Sequence, residues 1–301
     1  MGHRFHIYDV FTKKKLAGNQ LAIVEDADDL SPSAMQAIAR EFGFSETVFL
    51  QSSALSVAAA RVRIFTPFEE LPFAGHPTIG SAIFLATCGP QMNDNGDQML
   101  LMLDQSIGLV RAAVSLGAEG AAFAEFDVPE LPEVRPSVPE ADLVADALGV
   151  GVEDVGFENH KILSAELGIK YIFVPLRSSN VVRRACVEPS YWEAAFGSHA
   201  PLGVYVYARD EAPARGFHVR MFAPDMGIEE DAATGSAAAA FARVVQQFEV
   251  VKRRYYETLL RQGVEMGRPS EIKLEVEFDE AGLSKVRVGG HAIRVASGEL
   301  L

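Results

Sequence analysis

The chain has 301 residues, 49% of them hydrophobic and 9% aromatic, which is enough for two globular cores. A formal net charge of −14, relieved only by a short basic turn at Lys13 to Lys15, argues against nucleic acid or an anionic membrane surface as the main partner. No signal-peptide core precedes the first strand pattern, and the longest apolar run, about Ile79 to Cys88, is too short to span a bilayer, so a cytoplasmic protein is expected.

Cys88 and Cys186 are far apart and lie in no Cys-x-x-Cys arrangement, so neither a disulfide framework nor a zinc site is expected. The histidines are scattered, no carboxylates cluster at metal-ligand spacing, and no metal is expected. Gly149-x-Gly151 lacks a third glycine and a preceding strand. With no Walker-type loop and no Gly-x-Ser-x-Gly elbow, nucleotide-binding and serine-hydrolase readings fall away.

In chain order, residues 5 to 10 alternate as a strand, and Leu21 to Val24 forms a second after a turn at Ala17-Gly18-Asn19, which predicts a hairpin. Ser31-Pro32 then supplies a cap and a first-turn proline. Met35, Ile38, Ala39 and Phe42 share one helical face, and Gly43 ends the helix. Glu46 follows at the mouth of a strongly apolar strand, where it is either a surface charge or, pointing inward, an acid with a raised pKa suited to proton transfer.

Val57 to Phe65 is a further strand, and Gly75-His76-Pro77 leads into a helix of small residues expected over Thr78 to Cys88. His76 then sits just before a helix N-terminus, where the dipole favours neutral imidazole; a structural histidine is the alternative. Residues 89 to 98 read as a polar loop, and Met99 to Leu103, Gly108 to Val114 and Ala121 to Val128 as strands. Prolines 129, 132, 136 and 139 mark a linker and divide the chain into halves, 1–130 and 131–301.

In the second half, Glu140 to Leu148 and Pro189 to Phe196 read as helices, and Lys170 to Val174, Gly203 to Ala208 and Gly216 to Phe222 as strands. The acids Glu229 to Asp231 run into Thr234-Gly235-Ser236 and an alanine-rich helix expected to reach Phe248, with Thr234 or Ser236 as its cap. Beyond it, Val264 to Met266, Ile272 to Phe278, Lys285 to Val288 and Ala292 to Val295 are expected as strands, with turns at Gly267-Arg268-Pro269 and Gly289-Gly290.

One string recurs: Val62-Arg63-Ile64-Phe65-Thr66-Pro67 is echoed by Val219-Arg220-Met221-Phe222-Ala223-Pro224, an offset of 157 residues. Each copy is followed by a glycine and a helix of small residues, Gly75 to Cys88 and Gly235 to Val245. The expectation is two similar halves, each a strand array wrapped around a central helix, with the two helix N-termini meeting at a cleft suited to a carboxylate. In that setting Glu46, His76 and Asp231 become potential neighbours.

DVFTKKKLAGNQLAIV, FGFSETVFL, RIFTPFEELPFAGHPTIGSA, EEDAATGSA and QGVEMGRPS together resemble the phenazine-biosynthesis PhzF-like isomerase family, in that family's order and over most of the chain. The resemblance implies an α+β fold like that of diaminopimelate epimerase, with two pseudo-symmetric halves, each a curved sheet or barrel around a central helix. It also implies a cofactor-free site between the halves and a homodimer. By the same resemblance Glu46 is the general acid/base, His76 its partner and Asp231 a contact for an amino or other polar group. The Gly75 and Gly235 amides and the Ser236 hydroxyl would hold the carboxylate of a small metabolite, and Asn19 joins the substrate-binding set. Gln20 and Ala232 stand where the family commonly has proline, which loosens two turns and removes no reactive group.

The expected chemistry is isomerisation by proton removal and return at Glu46. An amino-acid racemase or epimerase of the two-base kind is the alternative, in a Glu/His/Asp version because neither cysteine lies at a helix head. A non-catalytic small-molecule or protein-binding member is the third reading.

Overall fold

The computed structural model describes residues 2–88, 98–117, 121–210, 216–251 and 254–301, and the loop expected over 89 to 98 falls almost wholly outside them. The chain divides into two compact units, the first comprising Met1–Pro129 with Arg287–Leu301 and the second Glu130–Val286. Residues 287–301, expected with the second half, therefore pack with the first. The reason is strand pairing, described next.

The first unit contains β1 (His3–Val10), β2 (Asn19–Val24), α1 (Pro32–Phe42), β3 (Glu46–Gln51), β4 (Ala60–Phe65), β5 (Glu70–Leu71), α2 (Gly75–Cys88), β6 (Gln98–Gln105), β7 (Gly108–Ser115) and β8 (Ala121–Asp127). β1 and β2 pair antiparallel, β2 and β3 parallel, β3 and β4 antiparallel, and β4 and β6 parallel. β6, β7 and β8 continue as an antiparallel run. The long terminal strand (Gly282–Leu300) then joins β8 through Arg287 to Ile293 and β1 through Ala292 to Leu300. Eight strands thus close on themselves, which leaves no free edge in the ring.

α2 accounts for the ring's interior. From Gly75 to Ala86 every residue is buried, so the helix has no solvent face and no need of amphipathic spacing. Ile79, Ile83, Phe84 and Leu85 are each at most 7% exposed, and such side chains contribute about 1.5–3 kcal/mol apiece. Gly80 lets the helix approach β2, since a Cβ there would overlap Leu21 Cδ2. α1 lies outside, held by Ser31 Oγ accepting from Ala34 N at 3.2 Å and by Gly43 at φ 64°, and buries Met35 and Ala39 against Val24, Phe49 and Phe65.

The second unit contains β9 (Glu133–Arg135), α3 (Ala141–Ala147), β10 (Leu163–Leu167), β11 (Ile169–Pro175), α4 (Ser179–Arg184), α5 (Pro189–Phe196), β12 (Gly203–Arg209) and β13 (Phe217–Ala223). These are followed by β14 (Ile228–Asp231), α6 (Gly235–Ala240), α7 (Ala242–Phe248), β15 (Tyr255–Gln262) and β16 (Ser270–Asp279). The terminal strand is β17. The pairings of the second unit repeat those of the first: β10 with β11 antiparallel, β11 with β12 parallel, β12 with β13 antiparallel, β13 with β15 parallel and β15 with β16 antiparallel. α3, α4 and α5 bury Val144, Val182, Trp192 and Phe196 against Ile172, Val206 and Phe222.

The repeated Val-Arg-x-Phe-x-Pro string has a physical function in both units. Arg63 grips Glu70 with Nε at 2.8 Å and Nη2 at 2.6 Å, and its guanidinium lies 5.2 Å from the Phe65 ring centroid. Arg220 grips Glu230 at 2.8 and 2.7 Å and lies 4.8 Å from Phe222. A planar two-pronged donor stacked on an aromatic face ties β4 to β5 and β13 to β14, the hairpins that deliver the chain to the heads of α2 and α6.

Several local expectations are corrected. α2 starts at Gly75, so His76 lies inside its first turn rather than before it. The alanine-rich helix is divided at Phe241, whose ring sits among Tyr205, Tyr207, Phe173 and Phe217 at centroid distances of 4.9 to 6.1 Å. Val264 to Met266 is turn, and the strand is Tyr255–Gln262. Gly289-Gly290 lies inside β17, paired with Glu125 and Ala124 of β8, and a Cβ at Gly289 would stand 2.7 Å from Phe123 Cζ, so the glycine clears space for that ring. No helix among the described residues is long and apolar enough to cross a membrane.

Candidate active site

In the first unit the parallel register of β2 and β3 sets Glu46 opposite Leu21, the residue against which α2 packs at Gly80. Glu46 therefore faces the helix. Its Oε2 lies 3.4 Å from His76 Nδ1, with the two side chains 17% and 3% exposed. Complete burial pushes the His76 pKa down to about 3, against the opposing pull of a hydrogen bond to the Gln20 backbone. The imidazole is therefore neutral at physiological pH, as its place in the first turn of α2 also favours.

A neutral imidazole has one donor and one acceptor nitrogen. His76 Nδ1 points at Glu46, while Nε2 is buried with no hydrogen-bond partner among the described residues. A buried polar atom left unmade costs about 1–3 kcal/mol, which a bound ligand would recover. Gly75 is the first residue of α2, and Asn19 opens β2, buried and opposite Val10, next to the Gln20 whose backbone reaches His76. Glu46, His76, Gly75 and Asn19 are thus all carried by β2, β3 and the α2 head.

In the second unit Asp231 ends β14 opposite Met221, with 7% of its surface exposed. Thr234 precedes α6 and was expected as a cap. Its hydroxyl instead donates to Asp231 Oδ2 at 2.6 Å, and α6 has no side-chain cap. Gly235 starts α6, and Ser236 Oγ is 2.8 Å from the Tyr171 hydroxyl, with both groups buried. Asp231, Gly235 and Ser236 are therefore grouped around the α6 head.

Sequence reasoning did not single out Tyr171, Tyr205 or Gln105, and Gln262 entered it only as the first residue of QGVEMGRPS, with no role. Gln262 Nε2 donates to the Asp231 carbonyl at 2.8 Å and to Thr234 Oγ1 at 3.0 Å, while its Oε1 accepts from Thr234 N at 3.1 Å and Tyr205 OH at 3.2 Å. Gln105, which donates to Thr78 Oγ1 at 2.9 Å beside the α2 head, stands 157 residues earlier. That is the offset already seen in the Arg63/Arg220 string, so extending the repeat search to single polar residues finds both glutamines.

Comparison with known proteins gives a consistent picture. Residues 8–298 match the family model described as phenazine biosynthesis-like protein. A Mesorhizobium japonicum protein named as an uncharacterized isomerase is 42% identical, covering 98% of this chain and 97% of its own. The trans-2,3-dihydro-3-hydroxyanthranilate isomerase of Pseudomonas aeruginosa is 34% identical, covering 98% of each. Among solved structures, a Bacillus anthracis phenazine biosynthesis protein of the PhzF family superposes with a TM-score of 0.88 at 25% identity, covering 100% of this chain and 99% of that one. A hydroxyproline epimerase from Agrobacterium vitis shares the fold at a TM-score of 0.66 and 13% identity, covering 99% of this chain and 91% of its own.

Proposed function

The chain belongs to the phenazine biosynthesis-like family of isomerases, and we propose that it moves a proton between two carbons of a small carboxylate-bearing substrate without a cofactor, with Glu46 as the group that carries it. The observation that supports this most is the Glu46–His76 pair: a carboxylate 3.4 Å from a buried, neutral imidazole whose other nitrogen has no hydrogen-bond partner among the described residues.

The ionised Glu46 takes a proton from a carbon made acidic by neighbouring unsaturation or a carboxylate. The electron pair left behind delocalises through the substrate. Protonated Glu46 then returns the proton to the far end of that conjugated system, so the substrate changes bond order without net gain or loss. His76, neutral throughout, keeps its proton on Nδ1, which faces the Glu46 carboxylate, and presents Nε2 as a fixed acceptor for a hydrogen-bond donor on the substrate, so it orients the substrate beside Glu46 without reorganising. Gly75, Gly235 and Ser236 hold the substrate carboxylate, Asp231 takes an amino or hydroxyl group, and Asn19 completes the binding set. The protein acts as a homodimer in the cytoplasm.

The compound named for the relatives, trans-2,3-dihydro-3-hydroxyanthranilate, carries the required carboxylate, amino group and ring unsaturation and is the first substrate to test. Conversion followed by proton NMR should fall about 10²- to 10⁴-fold in Glu46→Gln. Undiminished turnover in that variant would remove Glu46 from the reaction. Exchange at the carboxylate-bearing carbon of an amino acid, with inversion, would instead favour the epimerase reading.

A further inference from the structure

The two units repeat each other, yet only the second has an acid at the position of Asp231. Ile64 in β4 stands opposite Val48 and Leu71, and Met221 in β13 stands opposite Tyr205 and Asp231. Tyr205 is therefore the counterpart of Val48, and Asp231 that of Leu71. Thr234 and Ala74 are counterparts too, each the residue before the glycine that starts the helix. The glutamine is common to both units, whereas Tyr205, Thr234 and the acid occur together in only one.

The hydrogen bonds in that group have one consistent direction. Tyr205 OH and Thr234 N–H both donate to Gln262 Oε1, which fixes the orientation of the amide. Gln262 Nε2 must then donate to Thr234 Oγ1 and the Asp231 carbonyl. With its oxygen already accepting, the Thr234 hydroxyl has its proton left for Asp231 Oδ2 at 2.6 Å. Turning the amide over would set its nitrogen against the Thr234 N–H and its oxygen against the Asp231 carbonyl, two donors in one place and two acceptors in the other. Burial and the nearby charge of Asp231 keep the Tyr205 hydroxyl protonated, so the first donor in the chain persists across the working pH range.

We infer that Gln262 is a positioning residue that, through Thr234, holds Asp231 as an oriented hydrogen-bond acceptor and so makes the site select substrates bearing a donor group near their carboxylate. The inference rests on the proposed role of Asp231 in substrate binding. Without the latch the carboxylate can turn about its side-chain bonds, and its selectivity for a donor falls even when the carboxylate-binding groups at the helix heads remain.

The probes are 2-aminobenzoate and benzoate, which differ only by the amino donor, titrated calorimetrically into wild type, Gln262→Leu and Thr234→Val. Wild type should bind 2-aminobenzoate about tenfold more tightly, the factor expected for one hydrogen bond to a charged acceptor. In both variants the ratio should fall to about one, with benzoate affinity within about twofold of wild type. If Gln262→Leu does not fold, Thr234→Val, nearly isosteric and lacking only the hydroxyl that joins Gln262 to Asp231, carries the test. A tenfold preference retained in folded variants overturns the latch and leaves the proposed function standing. Equal binding of the two probes to wild type overturns donor selection, and no binding of either to wild type overturns the substrate-site reading itself.

Discussion

Lowering the pH should destabilise the protein through His76 in a way that a non-titrating side chain abolishes. In the unfolded chain this imidazole protonates near its ordinary 6.5, whereas in the fold burial holds its pKa at about 3. Between those values the unfolded state binds one proton more than the folded state, so stability falls as pH falls. Stability is unaffected by this group above pH 6.5, declines by about 1.4 kcal/mol per pH unit below it, and has lost roughly 4 kcal/mol by pH 3. Urea unfolding from pH 7 to pH 4, with wild type and His76→Gln measured side by side, isolates this share from the carboxylates that titrate in both proteins. The wild-type curve should be steeper by about one proton per molecule between pH 6 and 4. Parallel curves would mean that His76 is solvated or charged in the fold, which would refute the neutral-imidazole mechanism along with the stability argument.

Two other substitutions test the scaffold. Burial alone would raise the Glu249 pKa, but hydrogen bonds from His160, Arg209 and Tyr256 hold it at about 2 instead of 4.5, so its contribution is present above pH 4.5 and lost as pH falls toward 2. Discounted for the water that reaches the carboxylate, Glu249→Gln should cost about 2 kcal/mol at pH 7 and flatten the acid limb of the stability curve between pH 4.5 and 2, as read by urea unfolding. Gly80→Ala places a methyl against Leu21 Cδ2 and Val10 Cγ2, so it should destabilise by about 1–3 kcal/mol and reduce turnover as well, because Leu21 is the register partner of Glu46. A stable, fully active Gly80→Ala protein would show that the ring has room the packing denies.

The sequence discloses those parts of the fold that local chemistry dictates. Ser31, Pro32 and Gly43 cap α1 where their residue types predict, and the repeated Val-Arg-x-Phe-x-Pro string marks two hairpins with the same Arg–Glu grip. The groups of the proposed proton chemistry are legible as residue types, an acid at a strand mouth and a histidine at a helix head. Their approach to 3.4 Å is not, because it depends on the parallel register of β2 and β3 and on Gly80 admitting the helix. β15 escapes pattern reading because its inward face carries Thr258 and Gln262 beside Tyr256 and Leu260, so buried positions do not read as apolar ones. Gly289-Gly290 carries a turn signal, yet long-range pairing with β8 holds it extended and the glycine at 289 makes room for the Phe123 ring. The return of residues 287–301 to the first unit is a long-range pairing that no local signal announces.

The central claim is that Glu46 carries the substrate proton, and solvent isotope incorporation tests it most directly. Trans-2,3-dihydro-3-hydroxyanthranilate incubated in deuterium oxide with wild type should give product carrying deuterium at the newly protonated carbon, because a carboxylic acid exchanges with solvent between removal and return. Glu46→Gln, folded and binding the same compound, should release neither product nor deuterated substrate. Deuterium appearing at the wild-type rate in the Glu46→Gln reaction would contradict the account.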